Sequence, residues 1–80
     1  CQQRQPARLQ AVRQLQMEIA RQQKTLFWDW QGFMGGPCAM EHWQADELAR
    51  RDGVHLTRQG YERSALGLYQ DLRPLLQAAP

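Results

Sequence analysis

Asp52 and His55 stand three residues apart in the string Asp52-Gly53-Val54-His55, just ahead of a helical pattern. A tight turn over that spacing brings a carboxylate against an imidazole N–H and fixes the tautomer of the ring. Such a pair can act as an oriented general base: the histidine takes a proton from a nucleophile and returns it to the leaving group, and the carboxylate steadies the imidazolium formed in between. Spacing alone does not demand this role, because a loop Asp and a loop His also serve as ordinary turn and cap residues. In a hydrolase, the geometry predicts a carboxylate oxygen of Asp52 within roughly 3 Å of His55 Nδ1, with Nε2 left open.

Other chemistry-bearing residues assemble less well. Ser64 is the only serine and falls inside a helical pattern, where it reads as an ordinary helix residue, and the chain contains no asparagine. Cys38, His42, Asp52 and His55 could be combined on paper into a zinc site, but no C-x-x-C or H-E-x-x-H spacing supports it. Gly35-Gly36 is followed by Pro37, without the lysine and helix start of a phosphate loop, and reads as a turn. Trp28, Trp30 and Trp43 read as core and pocket wall in preference to a stacking platform.

The elements that must position the Asp-His pair follow from periodicity. From Pro6 to about Gln23, Leu9, Val12, Leu15 and Ile19 recur at helical spacing, with Arg8, Arg13, Gln14 and Arg21 predicted to face away. Thr25 to Trp30, rich in aromatic residues and punctuated afterwards by glycines, predicts a buried strand. One strand cannot satisfy its own backbone, so its sheet neighbours are expected outside these residues. Residues 38 to 50 predict a short helix, and Asp52 to His55 a turn. Thr57 is placed as the N-cap of a last helix, with Leu56 and Tyr61 as a hydrophobic staple. Tyr61, Ala65, Leu68, Leu72 and Leu75 or Leu76 run down one face of it, and Pro74 interrupts near its end. The order fits the last unit of an α/β layered domain. On that reading Cys1 and Cys38 return to the same edge, where a disulfide is open to them in an oxidising compartment and not in a reducing one.

Composition bounds what the chain can be. Eighty residues hold one small domain, which buries only about 60% of its unfolded surface. A net charge of +2 with the arginines spread along a helix does not make the dense basic stripe of a nucleic-acid module. No run approaches the ~20 apolar residues of a membrane span, and no signal-peptide pattern is present. We expect Cys1 to be an internal position of a longer protein.

The stretch Phe27-Trp28-Asp29-Trp30, then Met34-Gly35-Gly36, then Trp43, then Asp52-Gly53-Val54-His55-Leu56-Thr57 and Gly60-Tyr61 resembles the C-terminal end of the SGNH (GDSL-like) hydrolases, in the branch of bacterial peptidoglycan and polysaccharide O-acetylesterases. The resemblance runs over about residues 25 to 72. It implies that residues 1 to 80 are the C-terminal fragment of an α/β/α three-layer sandwich, with His55 as catalytic base and Asp52 as its orienting acid. It further implies a nucleophile in an N-terminal G-D-S block and oxyanion donors from a glycine and an asparagine in middle blocks, outside this chain. The implied substrate is an acetyl or other short acyl ester, with no metal or organic cofactor. The implied partner is the N-terminal portion of the same hydrolase domain, and the implied location is periplasmic or secreted. The competing expectation is a small helical interaction module in which Asp52 and His55 only cap.

Overall fold

The computed structural model describes residues 1–78, a slab of 43 × 27 × 15 Å. Four helices follow one another: α1 (Ala7–Gln23), α2 (Trp30–Met34), α3 (Ala39–Ala45) and α4 (Arg58–Ala78). No helix among the described residues is long and apolar enough to cross a membrane.

Pro6 caps the start of α1, and Lys24 ends it in the left-handed conformation at φ 56°, its N–H and that of Thr25 closing on Arg21 and Ala20. The predicted orientation of α1 holds for Arg8, Gln14 and Arg21, which are exposed, but not for its apolar residues or for Arg13. Leu9, Val12, Leu15 and Ile19 are exposed, whereas Ala20 is buried and Arg13, expected to face away, forks onto Asp29. An ion pair turns Arg13 inward. Arg13 Nε donates to Asp29 Oδ1 at 2.8 Å while its Nη2 bonds Oδ2, and the bidentate grip sets the polar side of α1 against α2.

The strand predicted over Thr25–Trp30 is not formed. Thr25–Asp29 runs as irregular chain and Trp30 begins α2, because no partner strand stands beside it and Asp29 is a ready helix cap. Asp29 Oδ1 accepts from Gly32 N–H at 3.0 Å. The one sheet-like feature among the described residues is an isolated antiparallel bridge, Ala49 to Leu56. The structure is thus helical, and the α/β layering expected from the sequence is not present in it.

The predicted helix over 38–50 is shorter, Ala39–Ala45, and the chain then turns through Glu47 at φ 60°. The core gathers here: Ala39, Trp43, Leu48, Ala49 and Leu56 are buried together, with Met34 and Met40 packed beside them. Burying side chains such as Trp43, Leu48 and Leu56 contributes roughly 2–3 kcal/mol each. Trp43 Nε1–H also donates to the Met34 carbonyl at 2.9 Å, closing the end of α2.

Cys1 and Cys38 are joined, with Cα atoms 5.8 Å apart. They meet at the start of α3, since no sheet edge is there to bring them together. The N-terminal segment is laid along this corner by Gln5 N–H to Pro37 O at 3.0 Å and Gln3 N–H to Glu41 Oε1 at 2.7 Å.

In α4 the buried positions are Gly60, Ser64 and Gly67, not the leucines, which stay largely exposed. Their small size lets the loop before α4 and the ring of Phe33 approach the helix backbone. Pro74 does not end α4, which continues to Ala78.

Candidate active site

The loop between α3 and α4 is built from both ends inward. Leu48 and Ala49 enter the core on one side and Leu56 on the other, and the two strands of the loop are laced by Thr57 N–H to Leu48 O at 3.0 Å and Arg50 N–H to His55 O at 2.8 Å. Thr57 then starts α4, donating Oγ1–H to Glu47 O at 2.7 Å and accepting from Gly60 N–H at 3.2 Å. That is the N-cap the sequence placed there. Between these fixed ends, Arg50 to His55 form a tight turn in which Gly53 adopts φ 70° and donates to Arg50 O at 3.3 Å.

Asp52 divides its two oxygens. Oδ1 accepts the backbone N–H of Val54 at 2.9 Å and of His55 at 3.0 Å, which shapes the turn; Oδ2 lies 2.7 Å from His55 Nδ1. One carboxylate therefore builds the loop and orients the ring that the loop carries. These contacts, the His55 side-chain bond first and the two backbone N–H bonds after it, hold the Asp52 carboxyl far below the usual carboxylate range. Asp52 stays a carboxylate wherever a histidine base can work, and it fixes Nδ1 as the donor, leaving Nε2 as the free basic nitrogen. Among the described residues no hydrogen bond engages Nε2.

The pair is open to solvent, with His55 and Asp52 side chains 64% and 46% exposed, so a reactant can reach it directly. A shallow hollow of about 310 Å³ surrounds it, lined by Arg50, Asp52, His55, Leu56 and Tyr61.

The remaining candidates of the sequence fall elsewhere. Cys38 is bonded to Cys1 and offers no thiolate, and His42 lies exposed in the last turn of α3. Ser64 is buried, its Oγ accepting from Trp30 Nε1 and donating to Gly60 O, both at 2.9 Å. Its hydroxyl is committed on both sides and is not presented as a nucleophile. The sequence does not announce Arg50 and Tyr61 beside the dyad; Arg50 precedes Asp52 by two residues, and the spacing assigns Tyr61 to the staple and the apolar face of α4.

A carboxylate-oriented imidazole on an exposed loop is chemically able to act as a general base. No family model matches the chain, and no curated protein matches it. Among solved structures it is similar to a peptidoglycan O-acetylesterase captured in action, at 44% identity and a TM-score of 0.87, over 94% of this chain and 21% of that one. The chain is O-acetylesterase-like over nearly its whole length, and it spans about a fifth of that neighbour.

Proposed function

We propose that residues 1–80 are the C-terminal part of an SGNH-type serine ester hydrolase, an α/β/α sandwich whose nucleophile and oxyanion donors lie in a preceding segment of the same domain. His55 is the catalytic base and Asp52 the acid that orients it. The observation that carries the reading is the division of labour at Asp52, one oxygen on the loop and the other on Nδ1, within an O-acetylesterase-like fold. Further support comes from what the chain leaves uncovered: Leu9, Val12, Leu15 and Ile19 of α1 and Leu68, Leu75 and Leu76 of α4 are exposed, and such faces are what a layered domain covers.

In the reaction, the serine hydroxyl of the preceding segment attacks the ester carbonyl while His55 Nε2 takes its proton. The tetrahedral adduct collapses as the imidazolium returns that proton to the departing alcohol oxygen, leaving an acyl-serine. Water attacks the acyl-serine by the same cycle, His55 again accepting and returning one proton, and the carboxylic acid is released. The substrate is an acetyl or other short acyl ester, on a cell-wall or other glycan by analogy with the peptidoglycan O-acetylesterase. A disulfide between Cys1 and Cys38 suits a periplasmic or secreted setting.

The test is complementation. Residues 1–80 alone should hydrolyse an aryl acetate no faster than buffer, and joined to the serine-bearing segment they should turn it over. Turnover by the isolated chain that depends on Ser64, or none after joining, would leave the exposed helical faces to an interaction module instead.

A further inference from the structure

Next to the dyad hollow runs a second groove, of about 210 Å³, and the two share Leu56 and Tyr61 as a common wall. Trp30 and Val54 add apolar surface to it, and the amides of Gln5 and Gln31 stand in its lining. Nothing in the chemistry described above uses this groove.

Three features define what it can hold. Its lining contains no Lys, Arg, Asp or Glu, so it offers no partner for a phosphate, a carboxylate or an ammonium. Its aromatic surface is fixed: Trp30 is 43% exposed while its Nε1–H is tied to Ser64 Oγ at 2.9 Å, and Ser64 in turn is tied to the α4 backbone. Its polar groups are a joined pair of amides, Gln31 Nε2 donating to Gln5 Oε1, which leaves the Gln31 carbonyl and the Gln5 amide N–H groups as acceptor and donors at one place. A ligand that matches this set is neutral, has an apolar face to lie on an indole, and carries hydroxyl or amide groups around its rim that both donate and accept. A pyranose ring has that make-up. A volume below the ~300 Å³ of pockets for drug-sized ligands suits one ring, not a nucleotide.

We propose that this groove is a sugar subsite, with Trp30 as stacking surface and Gln5 and Gln31 as the hydroxyl- and amide-reading pair. It seats one residue of the glycan whose neighbouring ester oxygen lies at His55. This rests on the reading of the dyad as an esterase half-site and adds where the glycan is held. Without the Gln pair the groove would equally suit the acyl chain of the ester; the paired amides favour the sugar, because a hydrocarbon chain would leave them desolvated without a partner.

Two measurements test it. In the first, the isotopically labelled 80-residue chain is titrated with a neutral, unacetylated β-1,4-linked N-acetylglucosamine trimer and followed by NMR. Saturable shifts centred on the Trp30 indole, Gln31 and Tyr61 are expected, with at least a tenfold weaker fit for Gln31→Ala. Shifts that do not saturate, or that centre elsewhere, overturn the proposal. In the second, the chain joined to its serine-bearing segment is assayed on an acetylated glycan and on an aryl acetate. Trp30→Leu and Gln31→Ala should each lower the ratio of glycan to aryl kcat/KM at least tenfold, chiefly through KM. A ratio that does not move, or a change in acyl-chain-length preference among aryl esters instead, overturns it. Because the trimer carries no ester, its binding is decided even if neither ester is hydrolysed, in which case it is the esterase reading that fails.

Discussion

Replacing Gly60 by alanine should destabilise the chain by about 2 kcal/mol, although alanine is the better helix former. A Cβ at Gly60 would overlap the Leu48 carbonyl oxygen, stand 2.9 Å from its carbon and 3.1 Å from Leu56 Cβ. The obstacle is backbone, so it cannot rotate away. Moving it strains the loop by roughly 1–3 kcal/mol and weakens the Thr57 N–H to Leu48 O bond, worth about 1 kcal/mol, against a helix gain of about 1 kcal/mol. Gly67 supplies the control. A Cβ there would overlap the Phe33 ring, with Cζ at 2.5 Å and Cδ1 at 2.9 Å, but Phe33 is a partly exposed side chain that can swing outward. The helix gain then offsets most of the cost, and Gly67→Ala should stay within about 1 kcal/mol of the parent. Urea denaturation followed by far-ultraviolet circular dichroism measures both. Gly60→Ala no less stable than Gly67→Ala would refute the close approach of loop and helix on which the position of Asp52 and His55 depends.

Reducing the Cys1–Cys38 bond, which closes a separation of 37 residues, should lower stability by roughly 4 kcal/mol, read as a shift in urea midpoint with and without reductant; an unmoved midpoint contradicts this. The Arg13 hydrogen bond holds the Asp29 carboxyl below its ordinary value, so its stabilisation is complete above the unfolded carboxylate pKa of about 3.9 and is lost as pH falls through the lower folded value. The melting-temperature gap between the parent and Asp29→Asn should therefore be present at neutral pH and narrow in acid, and a gap constant with pH would count against the pairing. Asp52→Asn keeps an oxygen for the loop N–H groups but loses the charge on Nδ1. In the protein joined to its serine-bearing segment it should leave the fold intact by circular dichroism while lowering kcat on the order of a hundredfold to ten-thousandfold; parent-like kcat would remove Asp52 from the mechanism.

The site was more legible than the fold. The turn of Asp52 to His55 and the Thr57 cap are local: each is set by residues within a few positions, and their spacing carries the information. The disulfide was open on sequence and is formed. The stretch Thr25–Asp29 misled because its aromatic composition suits a strand, while strand formation needs a neighbour that periodicity cannot supply. Periodicity points to Leu9, Val12, Leu15 and Ile19 as the inner face of α1, yet Arg13, through its bidentate pair with Asp29, and the small Ala20 are what meet the rest of the chain. In α4 the same bias toward large residues hid the Gly60, Ser64 and Gly67 stripe, whose signal is spacing of small residues at i, i+4 and i+7. Trp30 and Ser64 met across 34 positions, and no local pattern announces such a bond.

The role of His55 is tested most directly by its removal. In the chain joined to its serine-bearing segment, His55→Ala should lower kcat on an aryl acetate by about 10⁴-fold or more, with the fold retained, because loss of a triad base leaves the serine without its proton acceptor. Turnover within a few-fold of the parent would contradict the assignment of Asp52 and His55 as the acid-base half of an esterase.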